Sequence, residues 1–535
     1  MKGFQRRFYR LWTEEALASD PTLTGFRRDR QMGLIARFDE LDRKYVEGSR
    51  ARVRARAEAN LRREREGPAH SMLLKQEMEI ARLSKLKRQR KAIKAMLAEC
   101  WDLVGLLKPC MLMSPLSVAQ FLDRERTRFD VIIFDEASQI CPEDAIGSIV
   151  RGRQLIVVGD SKQLPPTSFF ALAAEDEDAE PDLESILDEC ETCGMPRRML
   201  MWHYRSKDES LIAFSNHQFY GGRLNTFPSP LFGREGYGVH HVLVPNGTFD
   251  RGRTRTNREE ARAVAGMVRD HYALKDGRSL GVIAFSEAQM EAIDQALDEL
   301  RSGDKKLDAA LSSEEGEPFL LYNLENVQGH ERDRIILSVG YGRDENGRFP
   351  LNLGPLNREG GERRLNVAIT RARLCLDVVS SVRSEEIDLG GSSSAGARLL
   401  KQYLAFAEAG GDRRALPVQP DRLREDPSPF VEHLAKALQA RGHRVRTNVG
   451  TSDYRVDLAI EDPAEEGRYI LGIECDGAHY LSGRTVRDRD RTRQGQLRRL
   501  GWTLHRVWSV EWFRDPEGEM ERIEEALRAR GRCAP

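Results

Sequence analysis

The 535 residues predict an α/β protein of several domains: parallel sheets in mid-chain, a charged helical segment before them and a smaller αββαβ unit after them. Three observations carry this. Apolar runs such as VIIF, LIVV and GVIAF are continuous rather than alternating, as in strands covered on both faces. Residues 1–100 show apolar positions at three- and four-residue spacing among dense Arg, Lys and Glu. A stretch containing GGSSSAG and PVQPDRLREDPSP separates the last apolar series from the C-terminal unit. At roughly 100–200 residues per domain, the length suggests three or four units.

Taken in order, residues 1–100 read as a helical, charged insertion or arm, broken by little beyond Pro21 and Pro68. A solvated helix face and a nucleic-acid contact both remain open for it. Residues 101–225 hold MLMSPLSVAQFL, FDVIIFDEAS and RQLIVVGDSKQLPP, read as strands of a first sheet with polar residues at its carboxyl edge. Residues 226–385 hold a second series at 279–286, 319–329 and 333–342. Residues 386–427, with one short helix, read as a linker, and 428–535 as the αββαβ unit.

No run of about eighteen apolar residues is present, so no membrane span is expected. The N-terminus lacks a continuous apolar segment, and a cytoplasmic location follows by default. Lys and Arg number 84 against 85 Asp and Glu, a balance that hides two basic tracks at 50–94 and 484–499. The cysteines are scattered, as in reduced thiols. Cys190 and Cys193 form a lone CxxC, which fits a helix end better than half of a zinc site.

Asp135 and Glu136 close the VIIF strand, where one acid can hold a magnesium ion and its neighbour can polarise a water. GDSKQLPP follows at 159–166, with Gln163 placed to sense a γ-phosphate beside loop-fixing prolines. Together these segments resemble superfamily 1 helicases of the group that includes the nonsense-mediated decay helicase, and the resemblance covers roughly 110–385. It implies two RecA-like domains that bind ATP and Mg2+. HYRSKDESLIAFSNHQFYGGRL (203–224) is similar to the motif that brings an arginine, here Arg205, to the γ-phosphate. ENVQGHERDRIILS (325–338) is similar to the motif joining nucleotide to nucleic acid, with Gln328, Gly329 and Glu331 in matching places. LNVAITRARLCL (365–376) is similar to the last helicase motif, with Arg371 as arginine finger, and SPLSVAQFL (114–122) fits the segment touching single strands.

A Walker-type ATPase needs GxxxxGK[ST], and these residues contain none. In the resembled group that loop lies upstream of the acidic strand, so the first RecA-like domain is expected to be incomplete. A split motor completed by another polypeptide, a truncated gene and a mis-assigned start all fit. Each implies weak ATP hydrolysis by this chain alone and exposed edges on the first sheet.

In the C-terminal unit, SPFVEHLAKALQARGHRV reads as a helix leading into a strand, YRVDLAI and YILGIECDG as strands. A basic helix (484–502) and a last strand and turn (503–513) follow. The order resembles the PD-(D/E)xK nuclease fold, of the branch that includes very-short-patch repair endonucleases. The resemblance implies a metal site at Asp457 and Glu474, with Glu432 on the first helix. The motif lysine is replaced by Asp476, a potential second metal ligand, leaving Arg484, Arg487 or His479 for the cationic role. An active Mg2+-dependent endonuclease, a domain that binds DNA without cutting it and a structural role remain open. The resemblances together imply a DNA-directed helicase or translocase fused to a nuclease; a nuclease with a vestigial motor and a non-catalytic nucleic-acid binder are the alternatives.

Overall fold

The computed structural model describes residues 2–85, 92–166, 184–231, 236–349, 352–389, 394–412, 415–416, 427–452, 454–481 and 483–531. The chain forms two compact units, Ala36–Arg198 and a second made of Met1–Ile35 with Met199–Pro535.

Within Ala36–Arg198, helices His70–Ser84 and Ile93–Leu107 pack through Leu73, Cys100 and Leu103. Buried Gln76 ties them, donating to Asp102 at 2.8 Å and accepting from the Leu103 amide at 2.8 Å. The 39-residue helix Arg28–Glu66 buries only Asp42 and pairs its charges along its own surface, as in Lys44–Glu40 and Arg54–Glu58. Such i,i+4 pairs support a solvated helix.

The sheet of this unit has two parallel strands among the described residues, β1 (Phe129–Phe134) and β2 (Gly152–Val157), with Phe134 opposite Val157. One face packs Phe134, Leu155 and Val157 against Ala137, Ala145 and Ile186. The other is open: Ile133 is 63% exposed, and Val131, Ile156 and Val158 are also exposed. The expected strand at MLMS is not formed. Residues 108–114 lie outside any strand, Leu112 is exposed, and SPLSVAQFL becomes the helix Pro115–Phe121, capped by Ser114.

In the other unit a five-stranded, wholly parallel sheet has the order β3-β7-β6-β4-β5. Its strands are β3 (Gly238–Leu243), β4 (Leu280–Ala284), β5 (Leu320–Asn323), β6 (Arg332–Ser338) and β7 (Ala372–Ser380). Helices Arg258–Leu274 and Glu287–Gly303 bury Val264, Val268 and Ile293 against Val282, Ile336 and Val379. Helices Ser210–Phe219 and Ala395–Glu408 meet through Phe214, Tyr403 and Phe406 and lie along β3. The stretch read as a linker therefore carries a core helix, because Leu400, Tyr403, Leu404 and Phe406 recur at helical spacing and are buried.

The C-terminal domain has a mixed sheet, β11-β10-β9-β8, made of β8 (Val445–Val449), β9 (Val456–Glu461), β10 (Tyr469–Cys475) and β11 (Leu504–Val507). β10 runs antiparallel to β9 and parallel to β11. The strand start read after helix Pro429–Ala440 is a full strand, so three strands precede the basic helix, and helices Ser509–Arg514 and Pro516–Gly531 follow the last strand. Leu434, Leu438, Leu458, Ile473 and Trp512 form its core. This domain is seated on residues 202–231. Trp502 Nε1 donates to Pro228 O at 2.7 Å, the Tyr469 amide donates to Pro230 O at 2.8 Å, and Phe227 joins a cluster with Val456, Ala459 and Trp502.

Candidate functional site

The acidic strand ends meet at one edge of the β1–β2 pair. Asp135 follows β1 and is exposed, its Oδ1 accepting the Glu136 amide at 3.1 Å. Glu136 sits at φ 53°, ψ 40°, a left-handed conformation unusual for a non-glycine residue. Strain of this kind, about 1–3 kcal/mol, persists where the surroundings enforce it and clusters at functional sites. The enforcement is visible: the Ala137 amide is tied to Val158 O at 2.9 Å, and Gly159 lies close against this turn, since a Cβ there would be a tight 3.0 Å from Ser138 N.

Gln163 follows β2 on the same edge. Its side chain donates to Asp160 Oδ2 at 3.0 Å, and its amide donates to Asp160 O at 3.0 Å, while Leu164, Pro165 and Pro166 are buried. Asp160, which sequence reasoning passed over, is thus the residue that orients Gln163. Asp135 and Glu136 leave adjacent exposed carboxylates at this edge, a chemistry that would suit a divalent cation.

The arginine motifs converge on the five-stranded sheet. Arg205 Nε donates to Glu331 at 2.6 Å and its Nη1 to Thr370 O at 3.3 Å. Three sequence motifs therefore share one point, at the amino ends of β6 and β7. Gly329, at φ 84°, makes the turn that brings His330 N to Val327 O, a conformation suited to glycine. Gln328 lies half-buried in that turn. Arg371 is 2% exposed and donates to Val367 O at 2.8 Å and Thr370 Oγ1 at 3.0 Å, so in this arrangement the expected finger is folded onto its own helix end.

Two residues absent from the sequence reading organise this corner. Arg373 pairs with Glu317, with Asp333 at 3.0 Å and with Glu331 at 3.5 Å. Its hydrogen bond holds the Glu317 carboxyl down at about 2. His203 bonds Ser206 Oγ at 2.8 Å; burial, then the charges of Arg205 and Arg371, lower its ring to about 4 and keep it neutral. A neutral ring beside two arginines closes the loop without adding a third cation.

In the C-terminal domain the structure brings Asp457 and Glu474 to adjacent strands, since Leu458 faces Ile473. Both are buried. Asp457 Oδ2 accepts the Cys475 amide at 2.7 Å. Glu474 is enclosed by cations: Arg493 Nε lies 2.9 Å from Oε1, Arg506 Nη2 lies 3.0 Å from Oε2, and Gln494 donates to Oε2 at 2.9 Å. Arg506 also holds buried Asp490 at 2.5 Å.

The other expected ligands stand apart from this pair. Asp476 accepts the amide and hydroxyl of Ser509 at 3.0 and 2.9 Å. Glu432, half exposed, faces Lys436 at 3.6 Å. Among the described residues no group of three or more His, Cys, Asp or Glu is arranged to hold a metal ion, and this includes the CxxC, whose Cys190 is buried and Cys193 exposed. As arranged, these carboxylates do not fit a divalent cation, because the guanidinium groups already satisfy Glu474.

The cations placed against Glu474 are Arg493 and Arg506; the side chain of His479, considered with Arg484 and Arg487 for a cationic role, lies outside the described residues. The signal available in the sequence was Arg506 itself, a charge inside the apolar strand LHRV, where the register sets it opposite Glu474. The basic helix is likewise less exposed than its composition implies: Asp490 and Arg493 are both 5% exposed, at a junction where the π-helical turn Arg487–Thr492 enters helix Arg493–Arg499.

Comparison with known proteins fits this geometry. AAA domain models match residues 40–170 and 183–383, and the REase_MTES_1575 model matches residues 430–527. The chain carries AAA-type helicase domains and a restriction-endonuclease-like tail. It is 30% identical over 451 residues to an uncharacterized ATP-dependent helicase of Mycoplasma pneumoniae and 29% identical over 453 residues to one of Mycoplasma genitalium. Those alignments cover 79% and 80% of this chain and 39% of each relative, so the chain spans about two fifths of their length. Among solved structures, the C-terminal domain of a possible DNA helicase from Lactobacillus plantarum aligns at 17% identity and TM-score 0.20, covering 33% of this chain and 86% of that one. No described helix is long and apolar enough to cross a membrane.

Proposed function

We propose that these residues are the C-terminal part of an ATP-dependent helicase or translocase acting on DNA, with a nuclease tail that depends on a divalent cation, Mg2+ being the expected one. The observation that carries the motor reading is the meeting of Arg205, Glu331 and Thr370–Arg371 at one point. An arginine delivered by a mobile domain stabilises charge on a transferring phosphate, and so links hydrolysis to closure. In that scheme Asp135 holds the metal, Glu136 polarises water, Gln163 senses the γ-phosphate, and Gln328, Gly329 and Glu331 relay the nucleotide state to nucleic acid. Bound Mg·ATP supplies the phosphate to be cleaved; the residues named here orient it and balance its charge.

The absence of GxxxxGK[ST] from these residues implies that the chain alone hydrolyses ATP weakly. The exposed Ile133 face of β1–β2 is apolar surface that a further segment, supplied by a separate polypeptide, would cover. DNA is favoured over RNA because the tail is restriction-endonuclease-like. Seven described cysteines without disulfides suit a cytoplasmic setting. The domain limits proposed are 1–100, 101–225, 226–385, 386–427 and 428–535.

A second reading, a tail that binds DNA without cutting it, is favoured by one observation: both Glu474 oxygens already face guanidinium groups. Nicking of plasmid DNA with Mg2+ or Mn2+, compared between wild type and Asp457→Ala, separates the two. Cleavage lost in the variant supports the nuclease; DNA binding with no cleavage under any divalent cation supports the binder.

A further inference from the structure

Glu474 is reached from the motor by an unbroken series of contacts. Arg493, paired with Glu474, lays its guanidinium 4.4 Å from the centre of the Tyr454 ring and donates to Arg455 O at 2.5 Å. The Tyr454 ring also meets Trp202, at 4.6 Å and 89°, and Phe227, at 5.0 Å and 81°. Trp202 is stacked on Phe227 at 4.9 Å and belongs to the same loop as His203 and Arg205. Beside it, half-buried Glu209 accepts from Thr226 Oγ1 at 2.5 Å and from the Thr451 amide and hydroxyl at 3.0 and 2.7 Å, which fixes the motor loop to the tail. The arginine loop and the residue that pairs with the tail carboxylate thus meet on one aromatic group.

We propose that Trp202 and Tyr454 couple the motor's arginine loop to Glu474, holding the tail in a locked state in which Arg493 and Arg506 take the place of a divalent cation. The inference rests on the reading of Glu474 as a cation ligand. Its physical basis is exclusion: a carboxylate whose oxygens both face guanidinium groups cannot also bind a metal, so one occupant must leave for the other to enter. Arg493 is the movable member. Arg506 is tied to Asp490 and enclosed by the Tyr480 and Trp508 rings, whereas Arg493, besides its bond to Arg455 O, is seated on Tyr454, a ring that also meets Trp202 and Phe227 of the motor. Displacement of Trp202 when Arg205 moves toward a phosphate loosens that seat and releases Glu474. Tyr454, Trp202 and Arg493 are positioning residues in this account.

The test is Mn2+ binding by the full chain, read from loss of the free-ion electron paramagnetic resonance signal, without DNA or nucleotide. Tyr454→Leu and Trp202→Leu keep apolar volume and remove the aromatic seat. Each is expected to tighten Mn2+ binding about tenfold, the scale on which groups behind a metal ligand act, and the gain is expected to vanish when Glu474→Gln is added. Should Tyr454→Leu fail to fold, Trp202→Leu, on the motor side, carries the same test. Unchanged or weaker binding in both leucine variants, with Glu474→Gln abolishing it, leaves the ligand reading standing and overturns the coupling. Tightening by Tyr454→Leu alone overturns the motor link. Binding that is absent, or indifferent to Glu474→Gln, removes the ligand reading and the inference with it.

Discussion

Arg205 and Glu331, 126 residues apart in sequence, are joined by a hydrogen-bonded ion pair of 2.6 Å. The pair holds a partly exposed arginine at the amino edge of the five-stranded sheet, with Arg373 as the second cation on Glu331. In the proposed function a triphosphate would compete with Glu331 for Arg205. When a polypeptide carrying the phosphate loop restores turnover, Arg205→Ala is expected to lower DNA-stimulated ATP turnover by about a thousandfold, the scale of an arginine finger. Phosphate-release kinetics check this; turnover equal to wild type removes Arg205 from the site.

Arg371 has a structural share as well. Its buried guanidinium satisfies Val367 O and Thr370 Oγ1. Truncation to alanine is expected to cost about 1–3 kcal/mol of stability, the usual penalty for buried groups left unpaired, in addition to restored ATP turnover. Thermal unfolding of Arg371→Ala beside Arg205→Ala separates the two: only the first is expected to lower the melting temperature clearly.

Glu260 predicts a pH dependence. It is buried, accepts from Ser338 Oγ and the Gly340 amide at 2.7 Å each, and burial lifts its carboxyl from 4.5 to about 7. The folded chain therefore keeps a proton that the unfolded chain gives up. The stability contribution is full below 4.5 and is lost as pH rises through 7. His203 acts oppositely: lowered from 6.5 to about 4, its contribution is present above 6.5 and lost as pH falls toward 4. Comparing wild type with Glu260→Gln isolates the first group. The variant is expected to gain on wild type between pH 5 and 8, by on the order of 3 kcal/mol at most; a pH-independent difference in melting temperature contradicts the assignment.

Asp457→Ala is expected to abolish metal-dependent nicking while leaving nucleotide binding unchanged. It also removes the acceptor of the buried Cys475 amide, at a stability cost of about 1–3 kcal/mol. Asp457→Asn retains an acceptor and is expected to recover stability but not nicking. Cleavage by either variant at the wild-type rate places the chemistry elsewhere.

The parallel sheet was legible in the sequence because β4 and β6 are continuous apolar runs, whereas β3 (GVHHVL) carries two histidines and escaped notice. MLMS read as a strand on composition alone, yet a strand needs a neighbour to pair with, and none stands beside it among the described residues. In the site, the acids at strand ends were found because strand-end polarity is local. Their partners were not. Arg506 meets Glu474 through parallel register, Arg493 reaches it from a helix, and Trp202 lies 252 residues before Tyr454. Contacts of that kind follow from tertiary packing and leave no spacing in the chain.

ATP turnover by the 535-residue chain alone, with saturating single-stranded DNA, tests most directly whether these residues are a motor that lacks its phosphate cradle. The account predicts a rate indistinguishable from that of Arg371→Ala under the same conditions. Vigorous DNA-stimulated hydrolysis that Arg371→Ala abolishes contradicts it, since some other group in these residues must then hold the phosphates.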